Sequence, residues 1–420
     1  MTTTEAQRTP ERIGAFVVLT VLLPFALGYF LSYLFRAVNA VVAPDLVKEI
    51  GLTASELGLL TAAYLLAFAL MQLPIGILLD RYGPRRVQAG LLVCASAGAV
   101  LFALAPSAAL LTLARTLIGI GVAGSLMSGF KAVVLWVPKP RQALANSWVM
   151  SVGAIGLLVS TAPTEWAVQQ IGWRGVFAVL AVVTALVSTL IYFLVTERRD
   201  PPTGATLGAQ IKTLGTIYSD RAFLVLAPLL AATAGVHLAI QTLWAGPWFR
   251  DVAGLDRIGV ANSLFAMAAA FFVGILFTGA VADWFQRRGV DTLKVMIGFL
   301  TVFMLSQAAI IADWAALRTP SWLLFGMTGQ VAILAYPWLS HHFGSALSGR
   351  ANTAMNLVIF MAAFLIQSAI GWIIDHYPKS ATGGYAPEAY RTAFGAFLAL
   401  EVAMLVSYLA CRREFQRPPS

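Results

Sequence analysis

Gly76-Ile77-Leu78-Leu79-Asp80-Arg81-Tyr82-Gly83-Pro84-Arg85-Arg86 is the stretch whose reading decides the fold. Long apolar runs flank it, and it packs one acid, three arginines and a Gly-Pro pair into a short span. Gly-Pro marks a tight connection. A cationic turn between two apolar runs belongs on the cytoplasmic side of a membrane. A weaker copy follows in the second half as Gly279, Asp283, Arg287, Arg288 and Gly289. Gly76 to Gly279 and Asp80 to Asp283 are both 203 residues apart, about half of the chain. Repetition at that period predicts a helical bundle duplicated within one polypeptide.

Composition points the same way. Of 420 residues, 59% are hydrophobic and 11% charged, whereas a soluble domain carries about 25% charged residues. Mean hydropathy is +0.80. A spanning helix needs about 20 apolar residues. Such segments read as 14–42, 53–79, 86–104, 109–136, 143–170 and 175–196 in the first half. The second half reads as 220–250, 259–283, 292–313, 320–341, 350–376 and 390–411. The expected architecture is an all-α integral membrane protein with 12 transmembrane helices. One six-helix bundle covers 1–196, a polar cytoplasmic linker 197–219, and a second bundle 220–420. Of the 28 Lys and Arg, 18 fall on the side of Asp80 and seven on the other, which places both termini in the cytoplasm. The same asymmetry explains the net charge of +9 without a nucleic-acid partner. Cys94 and Cys411 lie within or beside apolar runs, so no disulfide framework is expected. No Cys or acid at usable spacing accompanies the histidines, so neither a metal site nor a cofactor is expected. No nucleophile–base set or phosphate loop suggests an enzyme.

The spacing Gly76-x-x-x-Asp80-Arg81-x-Gly83-x-Arg85-Arg86 resembles the signature between helices 2 and 3 of the major facilitator superfamily. Arg115-x-x-x-Gly119-x-Gly121 is similar to that family's helix 4 signature. The resemblance implies two pseudo-symmetric bundles that rock about a cavity lined by helices 1, 4, 7 and 10. It also implies a conformational latch: Asp80, Arg81 and Arg85 hold an outward-open state, and Gly76 permits close approach of helix 11. Gly83, Arg86 and the second-half Asp283 complete the latch and its copy. Tyr33, Arg36 and Asn39 are similar to the helix 1 pattern Tyr-x-Asp-Arg-x-x-Asn of the anion:cation symporters, where the arginine serves organic-anion transport. Phe35 replaces the Asp of that pattern, and Val122 stands where helix 4 of that branch often has Glu. The proton route of the branch therefore does not carry over.

Three cations fall inside the apolar runs: Arg36, Arg115 and Lys131. Each costs at least about 2.5–3.5 kcal/mol in hydrocarbon, so each is expected to face a cavity or a partner. Tyr33, Arg36 and Asn39 share one helix face, and a guanidinium offers bidentate donors to a carboxylate. The alternative is that Glu165 or helix-end carbonyls hold Arg36. Arg115 is expected to pair with Glu165, either as a static tie or within proton transfer; a Glu165–Arg36 pair is the competing arrangement. Lys131 either brackets an anion cavity together with Arg36 or snorkels to the cytoplasmic interface. His237, with Gln241 one turn on, is the best available proton acceptor, unless it is a hydrogen-bonded core residue. Tyr64, Gln330, Tyr336 and Asn356 complete the expected cargo contacts, with Gln72, Asn352 and Gln367 as further polar groups. All of these also fit polar packing between helices.

The expected function is proton-coupled uptake of a small organic anion, a carboxylate, by a monomeric multi-pass carrier of the cell membrane, in bacteria the inner one. Anion exchange would need no titrating group. Drug/proton antiport would call for an acidic, aromatic cavity, and a non-transporting sensor would bind without moving its ligand.

Overall fold

The computed structural model describes residues 13–198, 214–379 and 384–411. Among these, eleven helices are long and apolar enough to cross a membrane. They are α1 (Ala15–Ala37), α2 (Ala54–Leu104), α3 (Ala108–Trp136), α4 (Lys139–Val159), α5 (Ala162–Leu194) and α6 (Arg221–Asp251). The rest are α7 (Arg257–Gln286), α8 (Thr292–Ala312), α9 (Ala315–Gly344), α10 (Leu347–Asp375) and α11 (Pro387–Cys411). Most of the expected linker, residues 199–213, lies outside the described residues.

The count differs from twelve for a physical reason. At 51 residues α2 would run roughly 77 Å as one rod, against about 30 Å of hydrocarbon. It is interrupted at Gly83, whose φ of 78° and ψ of 161° suit only glycine. The Gly83-Pro84 turn is thus a single-residue break, and α2 holds both expected runs 53–79 and 86–104. The expected run 143–170 is instead divided at Ser160–Thr161, so its two parts fall in α4 and α5. Gly172 (φ 71°) and Gly344 (φ 69°) make the same kind of turn elsewhere.

Duplication is visible in the backbone. Thr53 caps α2 in a capping box with Glu56, and Asp256 caps α7 through Gly259 N. Gly51 and Gly254, two residues before each cap, both have positive φ. Within each half the same crossing recurs. A Cβ on Gly119 of α3 would lie 2.5 Å from the Tyr64 carbonyl of α2, and one on Gly326 of α9 2.5 Å from the Met267 carbonyl of α7. Gly51 to Gly254, Thr53 to Asp256 and Tyr64 to Met267 all repeat the 203-residue offset.

Burial ranks the helices from centre to rim. The apolar window of α6 is 83% buried and that of α11 17%, so α6 is central and α11 faces lipid. Val179, Val182, Leu186 and Phe193 make α5 another lipid-facing helix. At the centre, α2 packs along α10: Gly58 lies against the Gln367 carbonyl, and Gly371 against that of Ala54. Four central helices are irregular. The chain of α1 breaks at Val38 and resumes as Asn39–Ile50. α3 breaks at Ala123–Gly124, α6 has a π segment at Ile240–Trp244, and α9 unwinds at Gly329–Gln330 into a 3-10 turn at Val331–Leu334.

Candidate functional site

Irregular backbone at membrane depth is tolerated where it lines a cavity, and the breaks in α3 and α9 do so. A cavity of about 380 Å³ is bounded by Ala123 of α3 and by Gly329, Gln330 and Ile333 of α9. Tyr29, Tyr33 and Arg36 of α1, Phe68 and Gln72 of α2 and His237 of α6 complete it, with Tyr336 of α9 and Asn352, Asn356 and Phe360 of α10. It extends past Met127, Phe130 and Met150 toward the end of the bundle that carries Asp80.

Arg36 is 7% exposed. Its guanidinium lies 4.8 Å from the Tyr33 ring centroid, 5.1 Å from that of Phe68 and 5.2 Å from that of Phe360. Its Nε has no hydrogen-bond partner. The aromatic faces offset part of the desolvation cost, each by about 0.5–2 kcal/mol, without consuming the N–H donors. Phe68 and Phe360 also stack on each other across the two halves at 4.5 Å. Across the cavity, Tyr336 Oη donates to Asn356 Oδ1, and Asn352 donates to Ser340 Oγ at 3.2 Å. The His237 ring is 1% exposed, lies parallel to Phe271 at 5.6 Å and leaves Nε2 without a partner. Room for that ring exists because residue 329 is glycine; any Cβ there would overlap it.

Six of the ten expected cargo contacts line this cavity: Tyr33, Arg36, His237, Gln330, Tyr336 and Asn356. The other four lie elsewhere. Asn39 is buried, donating to Thr61 Oγ1 at 2.9 Å. Tyr64 donates to the Ser32 carbonyl at 3.1 Å and presents its face to Arg115. Gln241 is buried in the π segment of α6. Lys131 neither brackets the cavity nor reaches out alone: it contacts Asp80 Oδ1 at 3.3 Å.

The expected Arg115–Glu165 pair is not formed. Arg115 is fully buried, donates Nη1 to the Phe35 carbonyl at 2.6 Å and sits 4.7 Å over the Tyr64 ring. Phe35 lies in the last turn before the break at Val38, where helical carbonyls lose their own donors and attract a cation. The competing Glu165–Arg36 pair is absent as well, because Glu165 belongs to Arg257. Arg257 Nε meets Glu165 Oε1 at 2.6 Å and Nη2 meets Oε2 at 3.2 Å. The same guanidinium holds Asp45 through Nη1 at 2.9 Å and Nη2 at 2.7 Å, and Gln169 donates to Glu165 at 3.0 Å. Arg257 comes from α7 and both acids from the first half, so the clasp joins the halves. Asp375 at the end of α10 accepts from Ala54 N at 2.8 Å and Ser55 N at 2.7 Å, capping α2 across the same divide. In the sequence Arg257 is simply one of the seven Lys and Arg on the side opposite Asp80. The available signal was its place at the first position of a helix whose cap repeats that of α2.

The loop residues have local partners. Arg85 Nε donates to the Tyr192 carbonyl at 2.7 Å, Arg86 lies 3.7 Å from Glu197, and Arg81 lies over Tyr82. Asp283 pairs with Arg287 at 2.7 Å. Gly76 is exposed, and the Gly83 break forms the turn. No group of three or more His, Cys, Asp and Glu that could hold a metal occurs among the described residues.

The sequence pattern of the Major Facilitator Superfamily matches residues 25–367. The probable sulfoacetate transporter of Cupriavidus necator is 26% identical over 62% of this chain and 64% of its own length, so the match spans under two thirds of that relative. The probable L-galactonate transporter of Escherichia coli (strain K12) is 24% identical over 82% of this chain and 80% of its own. A solved structure, of a bacterial homolog to the human lysosomal transporter Spinster in an inward-facing and unoccupied conformation, superposes with a TM-score of 0.77 at 17% identity. It covers 97% of this chain and 99% of that one, a likeness of fold. With the family pattern running from α1 into α10 through both copies of the duplicated bundle, the chain belongs to the Major Facilitator Superfamily.

Proposed function

We propose that this protein is a secondary active carrier for a small organic anion, working by alternating access. The observation that carries the reading is Arg36: a buried guanidinium on the cavity wall, packed by three aromatic faces, with no carboxylate in ion-pairing distance among the described residues. Such a group makes a pocket of positive potential that a carboxylate or sulfonate neutralises. A cavity of about 380 Å³ suits a cargo of metabolite size. The relatives named for sulfoacetate and L-galactonate support an anionic cargo.

In this reading the chain crosses the membrane twelve times, with the turn at Gly83 dividing α2 and the segment through Thr161 counted as one crossing. The bundles are 1–196 and 220–420, joined by 197–219. The Asp80 end and both termini face the cytoplasm of a bacterial inner membrane, and the protein acts as a monomer. The conformation is then inward-facing, sealed outside by the Arg257 clasp and the Asp375 cap. Outward opening breaks both, and the loop latch of Asp80, Arg81 and Arg85 engages on the other side. If protons drive uptake, His237 is the acceptor within reach of the cavity, since Arg257 already neutralises Glu165.

Uptake of sulfoacetate and L-galactonate into proteoliposomes tests the cargo class. Arg36→Ala is expected to weaken apparent affinity at least 30-fold, because losing one partner of a desolvated charge pair costs about 2–5 kcal/mol. Arg36→Ala uptake equal to that of the unmodified protein would remove the anion-contact role. Uptake that acidifies the lumen supports symport, and uptake driven only by internal anion supports exchange.

A further inference from the structure

Three side chains between Arg36 and the sealed end each bury at least one polar atom that has no hydrogen-bond partner. Gln367 of α10 is fully buried, and neither end of its amide is hydrogen-bonded. Gln241 Nε2 of α6 and Asn39 Oδ1, beyond the break in α1, are also unpartnered, in residues 5% and 0% exposed. A buried donor or acceptor left without a partner opposes the conformation that buries it.

Their register explains them. Asn39 follows Arg36 by three residues, Gln241 follows His237 by four, and Gln367 follows the cavity residue Phe360 by seven. Each step advances roughly 5–10 Å toward the Arg257 end, along unbroken helix in α10 and across the break at Val38 in α1 and into the π segment of α6. The three amides therefore lie beyond the cavity residues of their own helices, in the buried region toward the sealed end. Trp244, one turn past Gln241, donates to the Gln367 carbonyl at 3.3 Å, and Gly58 packs against both residues. These contacts join α2, α6 and α10 across the two halves, so they separate when the sealed end opens.

We propose that Asn39, Gln241 and Gln367 form an entry subsite for hydroxyl groups of the cargo, exposed only in the outward-open state. The reading rests on the carrier function proposed above and narrows its cargo to a hydroxylated organic acid. Three neutral amides offer both donors and acceptors, the complement of an alcohol, while Arg36 takes the anion. Closing the outer end withdraws the amides from the cargo and leaves it at Arg36 and His237.

The double variant Gln241→Leu/Gln367→Leu tests this in two arms. The first needs no cargo. Spin labels at the exposed positions Lys48 and Glu388, one in each half at the sealed end, report its opening. Removing unpartnered polar groups favours the sealed state, so the long-distance population is expected to fall about tenfold. An unchanged or larger long-distance population overturns the proposal. In the second arm, oriented proteoliposomes are supplied with D-gluconate, which carries hydroxyls, or sulfoacetate, which has none. From the sealed face the loss of opening raises KM for both acids alike, and the lost hydroxyl contacts are expected to raise it about tenfold further for gluconate, leaving both values from the Asp80 face within twofold. Equal shifts on both faces, or for both acids, overturn the hydroxyl subsite. Unmodified protein that carries sulfoacetate but no gluconate overturns the hydroxylated class alone. Failure of both acids overturns that class along with the organic-anion reading, while the distance arm still decides whether the amides belong to the outer gate.

Discussion

The two ends of the bundle use charge in opposite ways. At the Arg257 end, one guanidinium from the second half grips two carboxylates of the first, and Asp375 caps a helix across the same divide. At the Asp80 end, the pairs Lys131–Asp80 and Arg287–Asp283 each join residues of a single half, and Arg86 meets Glu197 at the start of the linker. A contact that spans the halves stabilises closure there; one within a half leaves the halves free to part. The cross-half contacts support the proposed closure at the Arg257 end, in agreement with a cavity that extends toward Asp80.

Four changes sharpen or break that comparison. The largest effect is expected from Arg257→Ala, which leaves Asp45 and the buried Glu165 to face each other unpaired. Losing such a partner costs about 2 kcal/mol or more even with Arg257 itself partly exposed, a shift of roughly 30-fold toward opening of that end. The Lys48–Glu388 label distance reads it, and a distribution identical to that of the unmodified protein would show that the clasp does not seal. Asp375→Ala comes next: removing a helix cap costs about 1 kcal/mol, so about a fivefold shift in the same direction is expected. Asp80→Asn should act with opposite sign, since its latch belongs to the outward-open state. A loss of up to about 1 kcal/mol in a half-exposed pair lowers the long-distance population by fivefold at most. A shift toward opening there would end the contrast between the ends.

The smallest effect concerns pH. Glu49 accepts from Trp173 Nε1 at 2.6 Å and Arg174 Nε at 2.9 Å, and these bonds hold its carboxyl below the ordinary range. Because the folded value is the lower one, the stabilisation is complete above the unfolded pKa of about 4.3 and is lost as pH falls through the folded value. Glu49→Gln should therefore lower Tm slightly above pH 6, where that stabilisation is complete, and leave Tm at the acid extreme nearly unchanged, which flattens the acid limb. An acid limb as steep as before would assign it to other carboxylates.

Sequence periodicity carried the membrane class and the half-chain repeat, and the 203-residue offset reappears in helix caps and glycine crossings. Arg36, His237, Gln330, Tyr336 and Asn356 were legible as cavity residues because polar groups in apolar runs are rare enough to stand out. Helix count was less legible. Apolar runs are divided by composition, whereas helices are divided by dihedral angles, and Gly83 turns the chain without adding a loop.

What the sequence determined by itself is local: which segments bury in lipid, which loops repel transfer across it, and which faces carry polar groups. Partner choice was decided only by the tertiary structure. Arg115 lies one helix away from Glu165 in the chain, yet the carbonyl exposed by the break at Val38 takes its charge, and Arg257, 92 residues beyond Glu165, takes the acid. A charge in low dielectric goes to whichever group is nearest in space with its own bonds unmet, and linear order says nothing of that distance.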